Sequence, residues 1–219
     1  YYTRAGGGGK KIMILHGLFG SERNWTSVVK ELATVHTVVV PDLRNHGQSP
    51  HHPEHSIAAM REDIENLADS LGWSSFILLG HSMGGWVVMD FAFHHPARIK
   101  GLIIEDIAPR AYSSERLLDI IGAMKRVPLD QVESKAEVDR ILMPDIPDPV
   151  IRQFLLTNLQ YEENHLIWRL NLNALEDFLR QDFRTYHSES IYSGPSLFVG
   201  GVRSPYRIAD DTPLIRRHF

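Results

Sequence analysis

The segment Gly80-His81-Ser82-Met83-Gly84-Gly85 sets a serine between two glycines in the pattern G-x-S-x-G. The apolar run Phe76 to Leu79 before it reads as a buried strand, and Trp86 to Phe93 after it reads as a buried helix. A serine between them sits on a tight strand-to-helix turn, where strained backbone angles lift the hydroxyl clear of the sheet. Small neighbours are needed for so close a turn, and the glycines supply them. A hydroxyl presented this way is a candidate nucleophile for an acyl carbonyl, forming an acyl-enzyme. The start of the following helix, with the Met83 N–H first, offers donors to the oxyanion that develops. The same pattern also fits a plain serine in a glycine turn; the flanking strand and helix favour the nucleophile.

The elements on either side must hold that turn. Ile12 to Leu15 is a short apolar run ending in His16-Gly17-Leu18-Phe19-Gly20, and Asn24 to Leu32 follows as a short helix. Val35 to Val40 is a β-branched run, a buried strand ending at Pro41-Asp42. Ser56 opens a helix with Ile57, Met60, Ile64, Leu67 and Leu71 on one face. Leu102 to Ile104 is another strand, ending at Glu105-Asp106. Strands and helices alternate and the strands are apolar throughout, which predicts an α/β fold with a mostly parallel sheet and helices on both faces. Ligands in such sheets bind beyond the carboxyl ends of the strands, where His16, Asp42, Ser82 and Asp106 all fall.

Residues 110–190 read differently. Ser114–Lys125, Ser134–Leu142, Pro149–Leu159 and Leu172–Gln181 carry apolar residues at helical spacing, and no strand of the core type lies between them. This predicts a helical cap over the strand ends, with Leu117, Ile121, Met124, Phe154, Trp168 and Phe178 on its underside. The hydrolase core is then 1–109 and 191–219, the sheet resuming at Ser196–Val199.

Composition excludes several classes. The chain has 219 residues, 43% hydrophobic and 23% charged, as in an ordinary soluble domain. A net charge of -4 gives no reason to expect nucleic acid as a partner. Without cysteine there is no disulfide, thiol nucleophile or thiolate zinc site. No apolar run is long enough to span a bilayer. Gly6 to Gly9 with Lys10-Lys11 lacks the Ser or Thr of a phosphate loop and precedes a strand, so it reads as a turn. His51, His52, Glu54 and His55 lie in a proline-broken loop and read as solvated rather than as a metal site. Neither a metal nor a cofactor is expected.

Taken in order, His16-Gly17-Leu18-Phe19-Gly20-Ser21, Asp42-x-Arg44-Asn45-His46-Gly47-x-Ser49-Pro50, the serine turn, Asp106-Ile107-Ala108-Pro109, Phe154-Leu155-Leu156-x-Asn158-Leu159, Trp168-Arg169-x-Asn171 and Gly200-Gly201-x-x-Ser204-Pro205-Tyr206 resemble one family from end to end. That family is the α/β-hydrolases, in the branch of bacterial acyl-CoA and short-chain esterases and a related mitochondrial protein. The resemblance implies a capped serine esterase or thioesterase acting on a small acyl ester or acyl-CoA. Location would follow source, cytoplasmic in a bacterium or mitochondrial in a eukaryote, and not secreted.

Residue by residue, the resemblance makes Ser82 the nucleophile, Leu18 and Met83 the oxyanion donors with Phe19 as the alternative to Leu18, and Asp106 the acid. Asp106 stands 24 residues past Ser82. The turn after Ser196–Val199, which carries the acid in much of the fold, has no carboxylate, and Asp210 and Asp211 look like a helix start. Glu105 is expected on the other face of its strand, and His16, His46 and His81 are read as structural. By the resemblance the last strand, the catalytic histidine and the closing helix would follow Phe219. His218 falls before that strand and His187 near the cap, so this chain is expected to be a weak catalyst or none. Rival readings are a carbon–carbon hydrolase or lyase using the same serine, and a non-catalytic binding protein. Dehalogenases and epoxide hydrolases of this fold need an aspartate at position 82.

Overall fold

The structure is a computed structural model, and it describes residues 1–163, 165–185 and 188–219. Eight strands are described: β1 (Tyr2–Ala5), β2 (Lys11–Leu15), β3 (Thr37–Pro41), β4 (Phe76–His81), β5 (Ile99–Glu105), β6 (Leu159–Glu162), β7 (His165–Trp168) and β8 (Ser196–Val199). Among the helices, α1 (Thr26–Leu32), α2 (Ile57–Ser70) and α3 (Met83–His94) alternate with the first strands. Then come α4 (Glu115–Arg126), α5 (Lys135–Leu142), α6 (Pro149–Leu156), α7 (Leu172–Arg180), α8 (Asp182–Thr185) and α9 (Thr212–His218).

The main sheet runs β1-β3-β2-β4-β5-β8, parallel except for β1, which pairs antiparallel with β3. The apolar strands are buried because both faces are covered. On one face Met13, Leu15, Val39, Leu78 and Leu102 join Met60, Trp86 and Val87 of α2 and α3. On the other, Ile12, Ile14, Val38 and Val40 meet Trp25, Val29 and Leu32. Strand β8 is the sheet's edge, with Leu197 and Val199 exposed.

Two details differ from the sequence reading. The strand read as Val35–Val40 is Thr37–Pro41, because Val35 lies in the turn that Gly6 and Gly9 close over. A Cβ on Gly6 would come within 2.0 Å of the His36 carbonyl oxygen, and one on Gly9 equally close to that of Val35. The helix read as Pro149–Leu159 ends at Leu156, and Leu159 instead opens the β6–β7 hairpin.

Helices α4 to α7 and that hairpin lie between β5 and β8 in the chain. Two asparagines fasten this segment to the sheet loops. The Asn158 Nδ2 donates to the Phe19 carbonyl at 2.8 Å, and the Asn171 N–H donates to the Asn45 carbonyl at 3.1 Å. Both bonds are side-chain or main-chain amides spent on the loops that follow β2 and β3, so the segment is registered against the strand ends.

The serine turn depends on close backbone packing. A Cβ on Gly80 would stand 2.2 Å from the Gly84 carbonyl oxygen, and one on Gly84 2.6 Å from that of His16. Neither neighbour is a flexible side chain, so Gly84→Ala should cost about 2–4 kcal/mol of unfolding free energy in urea titration, through overpacking and backbone displacement. Gly7, with open space around it, is the control: Gly7→Ala should change stability by less than about 0.5 kcal/mol. Equal stability of the Gly84 variant and the parent would contradict the packing described.

Candidate active site

Ser82 is the residue between β4 and α3, at φ 51° and ψ -120°. That region is unfavourable for any L-residue and costs on the order of 1–3 kcal/mol. The surroundings hold it there: the Ser82 N–H donates to the Glu105 carbonyl at 2.9 Å, while the Ser82 carbonyl accepts from the Gly85 N–H at 2.7 Å. The Gly17–Gly20 loop lies against it, since a Cβ on Gly17 would be 3.2 Å from the Ser82 Cβ.

Donors surround the serine. The Gly20 N–H closes a turn onto the Gly17 carbonyl at 3.0 Å, which leaves the N–H groups of Leu18 and Phe19, in the middle of the turn, with no acceptor among the described residues. Met83 opens α3, and first-turn N–H groups have no intrahelical acceptor. All three therefore remain available for a developing negative charge, with Phe19 held at φ 61°.

Asp106, just past β5, also has a left-handed backbone, φ 57°. Its carboxylate accepts from the Ser204 Oγ at 2.6 Å and from the Gly201 N–H at 3.3 Å. The loop before Tyr112 is fixed as well: the Ala108 N–H donates to the Tyr112 hydroxyl at 2.9 Å and the Trp86 Nε1 donates to the Ala108 carbonyl at 3.0 Å. Tyr206 joins the two predicted residues. Its hydroxyl is pushed up in pKa by burial and by the charge of Asp106, and it lines the same cavity as Ser82. Ser82, Asp106, Ser204 and Tyr206 are thus brought together from β4, β5 and the loop after β8.

The other acids are engaged elsewhere. Asp210 pairs with Arg207 at 3.0 Å and Asp211 with Arg110 at 2.8 Å, both at the start of α9. Asp42 accepts from the N–H groups of Glu22 and Gln48 and so ties loops together. Glu105, expected to face away, contributes to the wall of the cavity over Ser82; its carboxylate has no hydrogen-bond partner among the described residues.

That cavity has a volume of about 800 Å³, within the usual range for small ligands. Its lining combines apolar residues, Trp25, Val28, Ile151, Phe154 and Leu155 among them, with the polar Ser82, Ser113, Arg116 and Tyr206. Of the residues expected beneath the cap, Leu117 and Phe154 line it. Ile121, Met124, Trp168 and Phe178 do not; they pack into the hydrophobic core instead. A second depression, of about 640 Å³ around Lys135, Arg140 and Gln153, contains none of the candidate residues.

The histidines divide into distinct groups. His16 is buried with both ring nitrogens occupied: Nδ1 donates to the Gly17 carbonyl at 2.8 Å and Nε2 accepts from the Leu43 N–H at 3.0 Å. It braces the loop that follows β2 against the loop that follows β3. His46 and His55 extend it into a column, with ring centroids 5.0 and 5.5 Å apart, ending 5.0 Å from the Phe178 ring. His55 corrects the reading of a solvated loop. It is buried because its Nε2 packs 3.4 Å from the Met83 Sδ and its ring meets Phe178, whereas His51, His52 and Glu54 are exposed. His218 is occupied by the Ser190 carbonyl at 2.8 Å, and His187 lies outside the described residues. His81 is beside the cavity. Among the described residues no histidine is hydrogen-bonded to Ser82, and no cluster of His, Asp or Glu could hold a metal ion. None of the described helices is long and apolar enough to cross a membrane.

Comparison with known proteins follows this geometry. Residues 10–126 match the family model for the alpha/beta hydrolase fold. The chain belongs to the α/β-hydrolase family. A zebrafish (Danio rerio) sn-1-specific diacylglycerol lipase, ABHD11, is 36% identical over 95% of this chain and 68% of its own length. The Escherichia coli esterase YbfF is 31% identical over 89% of this chain and 75% of its own. Among solved structures, a marine microorganism esterase superposes with a TM-score of 0.96 at 33% identity, covering 100% of this chain and 87% of that one. The α/β-hydrolase fold expected from the sequence is therefore established. Tyr206 and Ser204 were present in the sequence as part of the Gly200–Tyr206 pattern, but their places were not; the Ser204 bond to Asp106 and the position of Tyr206 in the cavity over Ser82 depend on a fold that brings residues about a hundred positions apart together.

The histidine column gives a pH prediction. Burial holds the pKa of His16 and His46 below the ordinary value of 6.5 and that of His55 at about 3. Such a group takes its proton more readily in the unfolded chain. Its contribution to stability is complete above pH 6.5 and lost as pH falls toward its folded value, at up to about 1.4 kcal/mol per pH unit for each histidine. Unfolding free energy should be nearly constant above pH 7 and fall steeply between pH 6 and 5, before most carboxylates titrate. In His55→Gln the slope should be shallower. A parent curve that is level down to pH 5 would contradict neutral burial of the column.

Proposed function

We propose that this chain is a serine hydrolase that cleaves carboxylic esters or thioesters, acyl-CoA-like ones included, through an acyl-enzyme. The observation that carries this is Ser82, held at φ 51° between two glycines that close backbone packing requires, on the floor of an 800 Å³ cavity. The relatives named as esterases and lipases support the same reading.

In this proposal the Ser82 Oγ attacks the acyl carbon and its proton leaves for an imidazole. The carbonyl oxygen becomes an oxyanion accepting from the N–H of Met83 and of Leu18, or of Phe19 in its place. As the tetrahedral adduct collapses, the bond to the alcohol or thiol breaks and the imidazolium returns the proton to it. Water, activated by the same base, then frees the acid. Asp106 orients the imidazole, and Ser204 and Gly201 hold Asp106 with their two bonds. The tests use the intact protein. The apolar wall takes the acyl chain, in a cap formed by residues 110–190. No cofactor or metal takes part.

Two experiments check the assignments. On a panel of short-chain esters, Ser82→Ala should abolish turnover, and Asp106→Asn should lower kcat by orders of magnitude with unfolding midpoints close to the parent's, because the imidazole would hold the wrong tautomer. Undiminished turnover by Ser82→Ala overturns the proposal. Loss in Asp210→Asn or Asp211→Asn but not Asp106→Asn moves the acid. Separately, Phe154→Ala enlarges the apolar wall and should shift the preferred acyl chain upward by two or more carbons; an unchanged chain-length profile removes Phe154 from the acyl pocket.

A further inference from the structure

Arg116 is a cation in the lining of the cavity over Ser82. It lies in the first turn of α4, exposed, and among the described residues it makes no ion pair or hydrogen bond. Most other arginines with a structural role are paired: Arg44 with Asp63, Arg61 with Asp90, Arg98 with Asp69, Arg110 with Asp211 and Arg152 with Asp139. Arg116 instead keeps all five of its donors for whatever enters the cavity.

Its position relative to the chemistry is defined by Tyr206. Tyr206 follows Ser204, which bonds Asp106, and its ring packs edge-on against Tyr112 with centroids 5.1 Å apart. Tyr112 leads through Ser113 into the first turn of α4, and Tyr112, Ser113, Arg116 and Tyr206 line one cavity. Arg116 therefore stands on the Asp106 side of the serine. In a serine–histidine–acid mechanism the base lies between serine and acid and gives its proton to the leaving group, so the leaving half of the substrate occupies that side. Trp25 and Val28 follow β2, which lies across β4 from β5, and with Phe154 they give the cavity apolar surface, which suits the acyl chain.

Resting on the proposed hydrolase reading, we infer that Arg116 binds an anionic group, phosphate or a similar oxyanion, on the alcohol or thiol half of the substrate. A planar guanidinium meets such a group with two parallel hydrogen bonds, which are stronger than neutral ones. The substrate is then two-sided, an apolar acyl chain joined to a charged leaving group. Arg116 acts in specificity and takes no part in bond making.

Binding tests this without turnover. Calorimetric titration with octyl phosphate and with octanol measures what the phosphate adds to the same apolar tail. The parent should bind octyl phosphate at least about tenfold more tightly than octanol. Arg116→Gln should bring the two affinities close together, and Arg116→Lys should keep part of the difference. Equal affinity of the two ligands in the parent, or an undiminished difference in Arg116→Gln, overturns the inference.

Turnover then identifies the leaving group. The ratio of kcat/KM for 1-butanoylglycerol 3-phosphate over 1-butanoylglycerol probes alcohols, and S-butanoyl-2-mercaptoethanesulfonate over S-butanoyl-2-mercaptoethanol probes thiols. A ratio above about ten in either pair that collapses toward one in Arg116→Gln supports the inference and names the source. Ratios near one in both pairs oppose it. Absence of turnover in every pair counts against the hydrolase reading, while the calorimetry still decides the role of Arg116.

Discussion

The structure depends on one backbone constraint, the left-handed conformation of Ser82 at φ 51°. An isolated serine would leave that region at once, since it costs on the order of 1–3 kcal/mol. It is kept by contacts that are mutually exclusive with any larger residue nearby. Gly80 and Gly84 touch backbone with no space for a Cβ, and Gly85 would set one 2.4 Å from the Ile107 Cγ2. The serine's N–H is meanwhile committed to the end of β5. The three central strands must therefore end at the same level, and β2, β4 and β5 run parallel in register to do so.

Around that constraint the loops behave as one bracket. His16 at the end of β2 holds the Gly17 and Leu43 main chain together through its two nitrogens. Asn158 reaches back from beyond α6 to the Phe19 carbonyl, and Asn171 does the same for Asn45. Each is a buried or half-buried polar group that would be costly to leave unpaired. The segment above the sheet is in this way tied to the same turn that presents the backbone donors beside Ser82. Its contribution to the cavity is correspondingly specific: Leu117, Ile151 and Phe154 face inward, while Phe178 and Ile121 stabilise the segment itself.

The parts of this arrangement that were legible in the sequence are those governed by local rules. The serine turn could be read because glycine spacing and the apolar runs beside it are short-range signals. The parallel core could be read because strands buried on both faces are apolar at every position, as Thr37–Pro41 is. Illegible features share a different cause. His55 looked solvated because its neighbours in sequence are polar, and only the approach of Met83 and Phe178 buries it. Trp168 and Phe178 had the right spacing for a pocket, but helical periodicity does not say which apolar surface a face meets. The β6–β7 hairpin escaped because Leu159 continues the apolar pattern of α6, whose end is set by Asn158 turning to Phe19. Arg116 and Tyr206 acquire meaning only beside Ser82, from which both are distant in the chain.

The central claim is that the strained turn makes Ser82 chemically unlike the chain's other serines. Treating the intact protein with a fluorophosphonate, then digesting it and mapping the adduct by peptide mass spectrometry, measures this directly. The adduct should lie on Ser82 alone, and prior heat denaturation should abolish it. An adduct on another serine, or equal labelling before and after denaturation, would contradict the account.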